Sequence, residues 1–384
     1  MKRKPYQLGE LLRVKHGYAF KSQFFDSTGP YVLLTPGNFN EEGGFKDVAE
    51  KRKYYTGDIP DGYILDEGDL LVAMTEQMEG LLGSSAWIPE SARFLHNQRL
   101  GRIVDLDESR LDRRYLYYLF NTKSVRHQIA ASATGTKVRH TAPERIGRVE
   151  VELPTITSQR QIATTLLAYD TLIENNRRRV ALLEESVRLL YQEWFVRLRF
   201  PGYEHTRLVN GVPDGWKRRT LGDCLTLKRG HDLPESRRVP GNVPIVSSSG
   251  ITGFHIEKKA DGPGIVTGRY GTLGEVYFVE EDYWPHNTAL YVCDFKGNHP
   301  RVLFYFLKAA LQSVQSNNAA VPGLNRNVLH TLPVLWPSAK LRNHFDEFLE
   351  PVFRQLRLLR QMNDKLRAAR DLLLPRLMSG ELQI

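Results

Sequence analysis

Cysteine is nearly absent: the 384 residues hold two, Cys224 and Cys293. That excludes a disulfide-stapled framework and favours a reducing compartment, so a cytoplasmic location is expected. No apolar run approaches the ~18 residues a membrane span needs. The basic start Met1-Lys2-Arg3-Lys4-Pro5 lacks the apolar stretch of a signal peptide. The sequence has no P-loop, no GxGxxG opening a helix after a strand and no HExxH. It also lacks the Asn-Pro-Pro-aromatic tetrapeptide that holds a target amino group in DNA amino-methyltransferases. The 11 histidines show no metal-ligand spacing with the cysteines. Pro213-Asp214 followed by Glu257-Lys258-Lys259 loosely fits a PD…ExK nuclease pattern, which is short enough to arise by chance. Gly262-Pro263-Gly264 precedes a β-type run and reads as a turn rather than a phosphate cradle. The chain alone is expected to catalyse nothing and to bind no metal or cofactor.

A concentrated basic body is missing too. The net charge of +9 divides into +1 for 1–153, +2 for 154–200, +3 for 201–337, +4 for 338–377 and −1 for the tail. Any contacts to phosphate must therefore come from local clusters rather than a global field.

What the sequence does contain is the same layout twice. Tyr6-Gln7-Leu8-Gly9-Glu10 through Lys15-His16-Gly17 returns as Arg219-Thr220-Leu221-Gly222-Asp223 through Lys228-Arg229-Gly230, an offset of 213. Gly68-Asp69-Leu70 aligns with Gly264-Ile265-Val266 at 196, Asn97 with Asn287 at 190, and Leu153-Pro154 with Trp336-Pro337 at 183. The falling offset places the extra residues in the first copy, 17 of them between Gly17 and Gly68, where surface loops absorb insertions. Strands are expected at 31–35, 70–74, 101–104 and 148–153, and again at 243–246, 264–267, 274–279, 289–293 and 332–335. Helices are expected at 115–121 and 302–311. The fold class is α+β: two pseudo-repeated mixed α/β domains, 1–153 and 216–337. Long helices follow at 154–200 and 338–384, with a turn-rich linker at 201–215.

Each long helix carries an unbroken heptad seam. The first is Ile162, Leu166, Tyr169, Ile173, Asn176, Val180, Leu183, Val187, Leu190 and Trp194. The second is Phe345, Leu349, Val352, Leu356, Leu359, Asn363, Leu366, Arg370, Leu373 and Leu377. Pro351 predicts a kink or a locally loosened turn in the second helix. Antiparallel pairing with aligned ends makes facing residues sum to 539, and that register sets Asn176 opposite Asn363, the two asparagines of the seams. A buried Asn pair disfavours slipped registers. From Ile162 to Trp194 such a rod spans roughly 48 Å, about 14 base pairs of duplex.

The scaffold repeats while its polar residues change. Gly135-Thr136-Lys137-Val138-Arg139-His140 precedes the last strand of the first copy, and Pro322-Gly323-Leu324-Asn325-Arg326-Asn327 that of the second. Arg suits guanine edges and Asn adenine, so two readers of different sequences should differ in this way. Candidate DNA-contacting residues are Lys15, His16, Tyr18, Lys137, Arg139 and His140 in the first copy. In the second they are Lys228, Arg229, His231, Arg237, Arg238, Arg269, Tyr270, Asn325 and Arg326. The competing reading is a protein–protein adaptor whose duplicated heads sit on a coiled-coil spacer.

The chain resembles the specificity subunit of type I restriction-modification systems. Leu8-Gly9-Glu10 and Leu221-Gly222-Asp223 carry the match, with Gln159-Arg160-Gln161-Ile162-Ala163, Leu167-Ala168-Tyr169-Asp170 and Val212-Pro213-Asp214-Gly215-Trp216. The most specific piece is the run Arg370-Asp371-Leu372-Leu373-Leu374-Pro375-Arg376-Leu377-Met378-Ser379-Gly380-Glu381. The resemblance covers essentially the whole chain in the right order. It implies two target-recognition domains, each reading half of a bipartite double-stranded DNA target, with antiparallel helices as a ruler for the unread spacer. It implies two methyltransferase subunits bringing S-adenosylmethionine, and motor-nuclease subunits using ATP and Mg²⁺. The second copy departs from this pattern at Ala339-Lys340-Leu341-Arg342-Asn343-His344, which replaces the Gln-rich start of the first helix.

Overall fold

The computed structural model describes residues 3–47, 49–77, 79–269, 275–316 and 325–384. The chain forms two compact units, Met1–Asn175 with Asn363–Ile384, and Asn176–Met362. The long helices, Ile156–Tyr191 and Ala339–Ser379, each contribute one part to each unit.

In the first unit, strand Lys4–Gln7 pairs antiparallel with Glu150–Leu153, Lys4 facing Leu153 and Gln7 facing Glu150. In the second, Lys217–Thr220 pairs with Pro333–Trp336, Lys217 facing Trp336 and Thr220 facing Pro333. Adding 213 to one strand and 183 to the other converts the first register into the second. The turn after each entry strand is built alike. Gln7 with Glu10, and Thr220 with Asp223, form capping boxes that satisfy the backbone donors opening that turn. The Leu8 N–H donates to the Val149 carbonyl and the Leu221 N–H to the Leu332 carbonyl. Gly9 lies against the Gly147 backbone and Gly222 against His330, approaches that leave little or no room for a Cβ.

Each unit then has a four-stranded antiparallel sheet in the same order. The first orders Arg13–His16, Leu100–Val104, Leu70–Ala73 and Ser85–Trp87. The second orders Thr226–Arg229, Ala289–Asp294, Gly264–Gly268 and Val276–Val279. A second sheet lies beside it in each unit, containing one parallel pair: Tyr31–Leu33 with Phe94–Leu95, and Val243–Ser247 with Trp284–Pro285. The pairings correct the sequence alignment by one residue. Leu70 corresponds to Ile265 rather than Val266, and Asn97 to His286 rather than Asn287, since the Tyr18–Asn97 bridge matches His231–His286. Neighbouring strand positions are apolar in both copies, so similarity alone slips easily; only hydrogen bonding fixes which face each side chain takes. With this register the 17 extra residues fall between Leu33 and Leu70.

Every seam residue of the long helices is buried or half-buried, as a 3.5-residue apolar repeat requires. Within the first unit the helices run antiparallel, with Arg370 2.6 Å from Asp170 and the Asn363 amide donating to the Ile173 carbonyl at 3.2 Å. Within the second they run antiparallel too. Trp194 packs on Phe345 at 5.5 Å, a pair summing to the expected 539, and Arg360 lies 2.5 Å from Glu184. Asn176 and Asn363 are both buried. The second helix runs unbroken through Pro351, whose exposed position lets water take the carbonyl it leaves unbonded. It ends at Gly380 in the left-handed region, φ +81°. The first helix ends in a wider π turn, Gln192–Val196, which lets the consecutive aromatics Trp194 and Phe195 both enter the core.

Candidate nucleic-acid interface

The candidate residues gather where each copy's glycine lets the chain pass close to its neighbour. A Cβ at Gly17 would overlap the Asn97 carbonyl, and one at Gly230 the His286 carbonyl. Lys15 and Lys228, His16 and Arg229, and Tyr18 and His231 therefore occupy matching positions on and just beyond matching strands.

In the first unit, the Lys15 ammonium donates to the Gly62 carbonyl at 2.9 Å and lies 4.4 Å over the Tyr63 ring. Partial burial, then the nearby Arg102 and Arg13, lower its pKa. Tyr18 is half-buried between Phe20 and Tyr63, with ring centroids 5.1 and 5.4 Å away. His16 and Lys137 are exposed. Arg139 and His140 form a short strand paired with Thr75–Glu76. Arg139 is committed to bracing: it lies 3.1 Å from Glu76, a buried carboxylate that also accepts the N–H groups of Gly80, Leu81 and Leu82. The exposed His140 contacts the Thr75 hydroxyl at 3.1 Å.

Behind Lys15 lies His96, which sequence reading missed because nothing in its local pattern marks it. Its Nε2 sits 2.9 Å from the Leu100 carbonyl, and its Nδ1 is buried with no partner. That assigns the proton to Nε2. Charging the ring would place an unsatisfied N–H at Nδ1, and burial accordingly lowers the pKa to about 4.

In the second unit, Lys228 and Arg229 are exposed, and Arg229 donates to the Asn287 carbonyl at 3.3 Å. His231 lies 3.4 Å from the Tyr291 hydroxyl; burial, then Lys228 and Lys259, lower its pKa. Arg237 reaches Asp232 at 3.4 Å, while the Nε of Arg238 is buried without a partner. The Arg269 backbone N–H donates to the Thr288 carbonyl. Tyr270 lies outside the described residues, as do Pro322-Gly323-Leu324. Asn325 caps the helix Arg326–Thr331, its side-chain oxygen accepting the Asn327 N–H at 2.9 Å, and Arg326 is exposed on the first turn. Sequence reading also missed the strand Lys217–Thr220, all four residues of which are exposed. Three cations in sequence, Lys217-Arg218-Arg219, were the available signal.

Among the described residues no group of three His, Cys, Asp or Glu side chains is placed to hold a metal ion. Lys258 of the loose nuclease pattern is held between Asp261 and Asp282, at 2.7 and 2.6 Å. No described helix is long and apolar enough to cross a membrane.

Comparison with known proteins gives a consistent picture. The type I restriction enzyme MjaIX specificity subunit of Methanocaldococcus jannaschii is 25% identical over 300 residues, covering 70% of this chain and 69% of that protein. The EcoBI specificity subunit of Escherichia coli is 27% identical over 185 residues; these are 48% of this chain and 35% of that protein. In fold, the type I restriction-modification S subunit from M. genitalium aligns with a TM-score of 0.62 at 18% identity, covering 98% of this chain and 96% of that one. Residues 2–185 and 213–368 match the type I restriction modification DNA specificity domain, so the chain belongs to that family and is a type I restriction-modification specificity subunit with two recognition domains.

Proposed function

We propose that each unit reads one half of a bipartite double-stranded DNA target. The observation that carries this reading is the shared register with unlike polar groups. Matching backbone positions hold His16 against Arg229 and Tyr18 against His231. A duplicated reader keeps its frame and varies its donors and acceptors, because base edges differ while the groove does not. Lys15, Lys137, Lys228 and Arg326 suit phosphate contacts, and His16, His140 and Arg229 base contacts. Arg139 and Asn325 act behind these, one bracing the loop after Leu70–Ala73 and the other capping a helix.

The helices set the unread spacer and dock two methyltransferase subunits, which bring S-adenosylmethionine; ATP and Mg²⁺ belong to the restriction subunits, and the assembly works in the cytoplasm. The exposed apolar side chains Leu182, Leu189 and Val196, spaced by seven residues, support helix docking of a partner. Deleting one heptad from both helices should shorten the spacer by about three base pairs, from ~10.5 Å of lost rise. An unchanged spacer would remove the ruler. The reading as a whole is tested by measuring binding of the assembled complex to duplexes bearing split targets over a salt series. Specific binding that weakens linearly in log–log form supports it. Absence of any salt slope would favour the protein–protein adaptor instead.

A further inference from the structure

One recess in the first unit does not suit DNA. A groove of about 1350 Å³ opens between the entry strand Lys4–Gln7 with its partner Glu150–Leu153, the helix Lys123–Ala131 and the end of the helix Ala339–Ser379. Its floor is apolar, made by Pro5, Tyr6, Leu119, Val125, Leu374 and Pro375. Eight carboxylates line it against four Lys or Arg side chains. Three of those cations are already engaged inside the unit. Arg126 donates to the carbonyls of Glu41, Gly80 and Leu82, Arg139 is bound to Glu76, and Arg3 donates to the Glu152 carbonyl at 3.0 Å. Glu41, Glu42, Glu79, Glu150 and Glu152 are exposed and have no ion-pair partner among the described residues. On a chain of net charge +9, this is a local field of the opposite sign, repelling phosphate and attracting cations.

The second copy does not repeat this chemistry. At the positions of Lys4, Pro5 and Tyr6 it has Lys217, Arg218 and Arg219, and in place of Glu150 and Glu152 it has Pro333 and Leu335. The frame is common to both copies, so the acidic rim is a property of the first alone.

We propose that this groove docks an amphipathic segment of a partner protein, its apolar side chains on the floor and its Lys or Arg side chains against the unpaired glutamates. The complementarity is of two kinds, apolar area and charge, and a peptide segment supplies both. Docking of this kind occurs on one repeat only, so a symmetric pair of partner subunits meets the two copies differently. The inference goes beyond the reading of DNA by either copy and does not depend on it.

The test uses the full chain and a fluorescein-labelled amphipathic leucine–lysine peptide, followed by fluorescence anisotropy in low-salt buffer. A triple variant, E79Q/E150Q/E152Q, should bind roughly tenfold more weakly, because three charge contacts are lost while the floor is kept. Unchanged thermal melting of the variant shows that its fold survives. The matching leucine–glutamate peptide should not bind. Equal binding of that peptide, no binding of the lysine peptide, or an unaffected triple variant would overturn the proposal. So would displacement of the peptide by duplex DNA, or sedimentation showing that the chain occupies its own groove as a dimer.

Discussion

At one position facing the helix–domain contact the two units solve the same packing problem with opposite chemistry. In the first, Asp170 accepts the Tyr118 hydroxyl at 2.6 Å and pairs with Arg370 at 2.6 Å, and this raises the Tyr118 pKa through burial and then the adjacent carboxylate. The position 183 residues later is Phe353, which packs on Phe278 at 4.8 Å and on Phe304 and Tyr305 at 6.3 Å. Around both lies the same frame of strand registers and capping boxes. The frame tolerates either an ionic or an aromatic solution provided each is complete, and this tolerance leaves the exposed residues free to diverge.

The comparison is broken most severely by Phe353→Ala, which leaves a cavity beneath three aromatic rings. It should destabilise the second unit by about 3–4 kcal/mol, read as faster amide exchange there by mass spectrometry while the first unit is unchanged. Next in size is the pH effect of a single first-unit histidine. His96 has its folded pKa pushed down to about 4, below the unfolded ~6.5, so its contribution is intact above pH 6.5. Stability should fall by roughly 3 kcal/mol as pH drops from 6.5 to 4, and H96Q should lack that component in a pH series of urea melts. Asp170→Ala strands the Tyr118 hydroxyl and leaves the half-buried Arg370 with Asp371 alone, at 2.8 Å. It should cost about 2–3 kcal/mol, with much of the loss recovered in the triple variant D170F/Y118F/R370L if the apolar solution is transferable.

The smallest predicted effect concerns the helix starts. The Gln159 amide donates to the Arg110 and Pro154 carbonyls and its carbonyl accepts the Asp112 N–H, all within 3.0 Å. Arg342, 183 residues on, makes the equivalent bond to the Pro337 carbonyl at 2.6 Å and stacks 4.9 Å from Trp336. Gln159→Ala should cost about 2 kcal/mol and Arg342→Ala about 1, measured by chemical denaturation. This explains why the Gln-rich start is replaceable: both side chains hold the same carbonyl.

Much of this organisation was legible in sequence because it is periodic. The 4–3 seam, the glycines and the two offsets of 213 and 183 each recur, and the Trp194–Phe345 contact agrees with the register deduced from their sum. Strand register was less legible, since runs such as Leu70–Ala73 and Gly264–Gly268 are buried on both faces and carry no alternation. Two-residue strands such as Phe25–Asp26 and Phe94–Leu95 were missed because so short a segment has no period. Among candidate site residues, sequence supplies the type of side chain but not its commitment to a partner. Arg139 looked like a base reader until its partner, the buried Glu76, was seen 63 residues away. Asn325 could have been identified as a cap, because it immediately precedes a helical segment.

The central claim is that separate units read separate halves. Methylome sequencing of cells carrying this chain with its partner subunits tests it most directly, using the wild type, an H16A/H140A variant and an R229A variant. The expected motif has two fixed blocks around an unread spacer of constant length; the first variant should relax one block only and the second variant the other. A single contiguous motif, or equal relaxation of both blocks by either variant, would contradict the account.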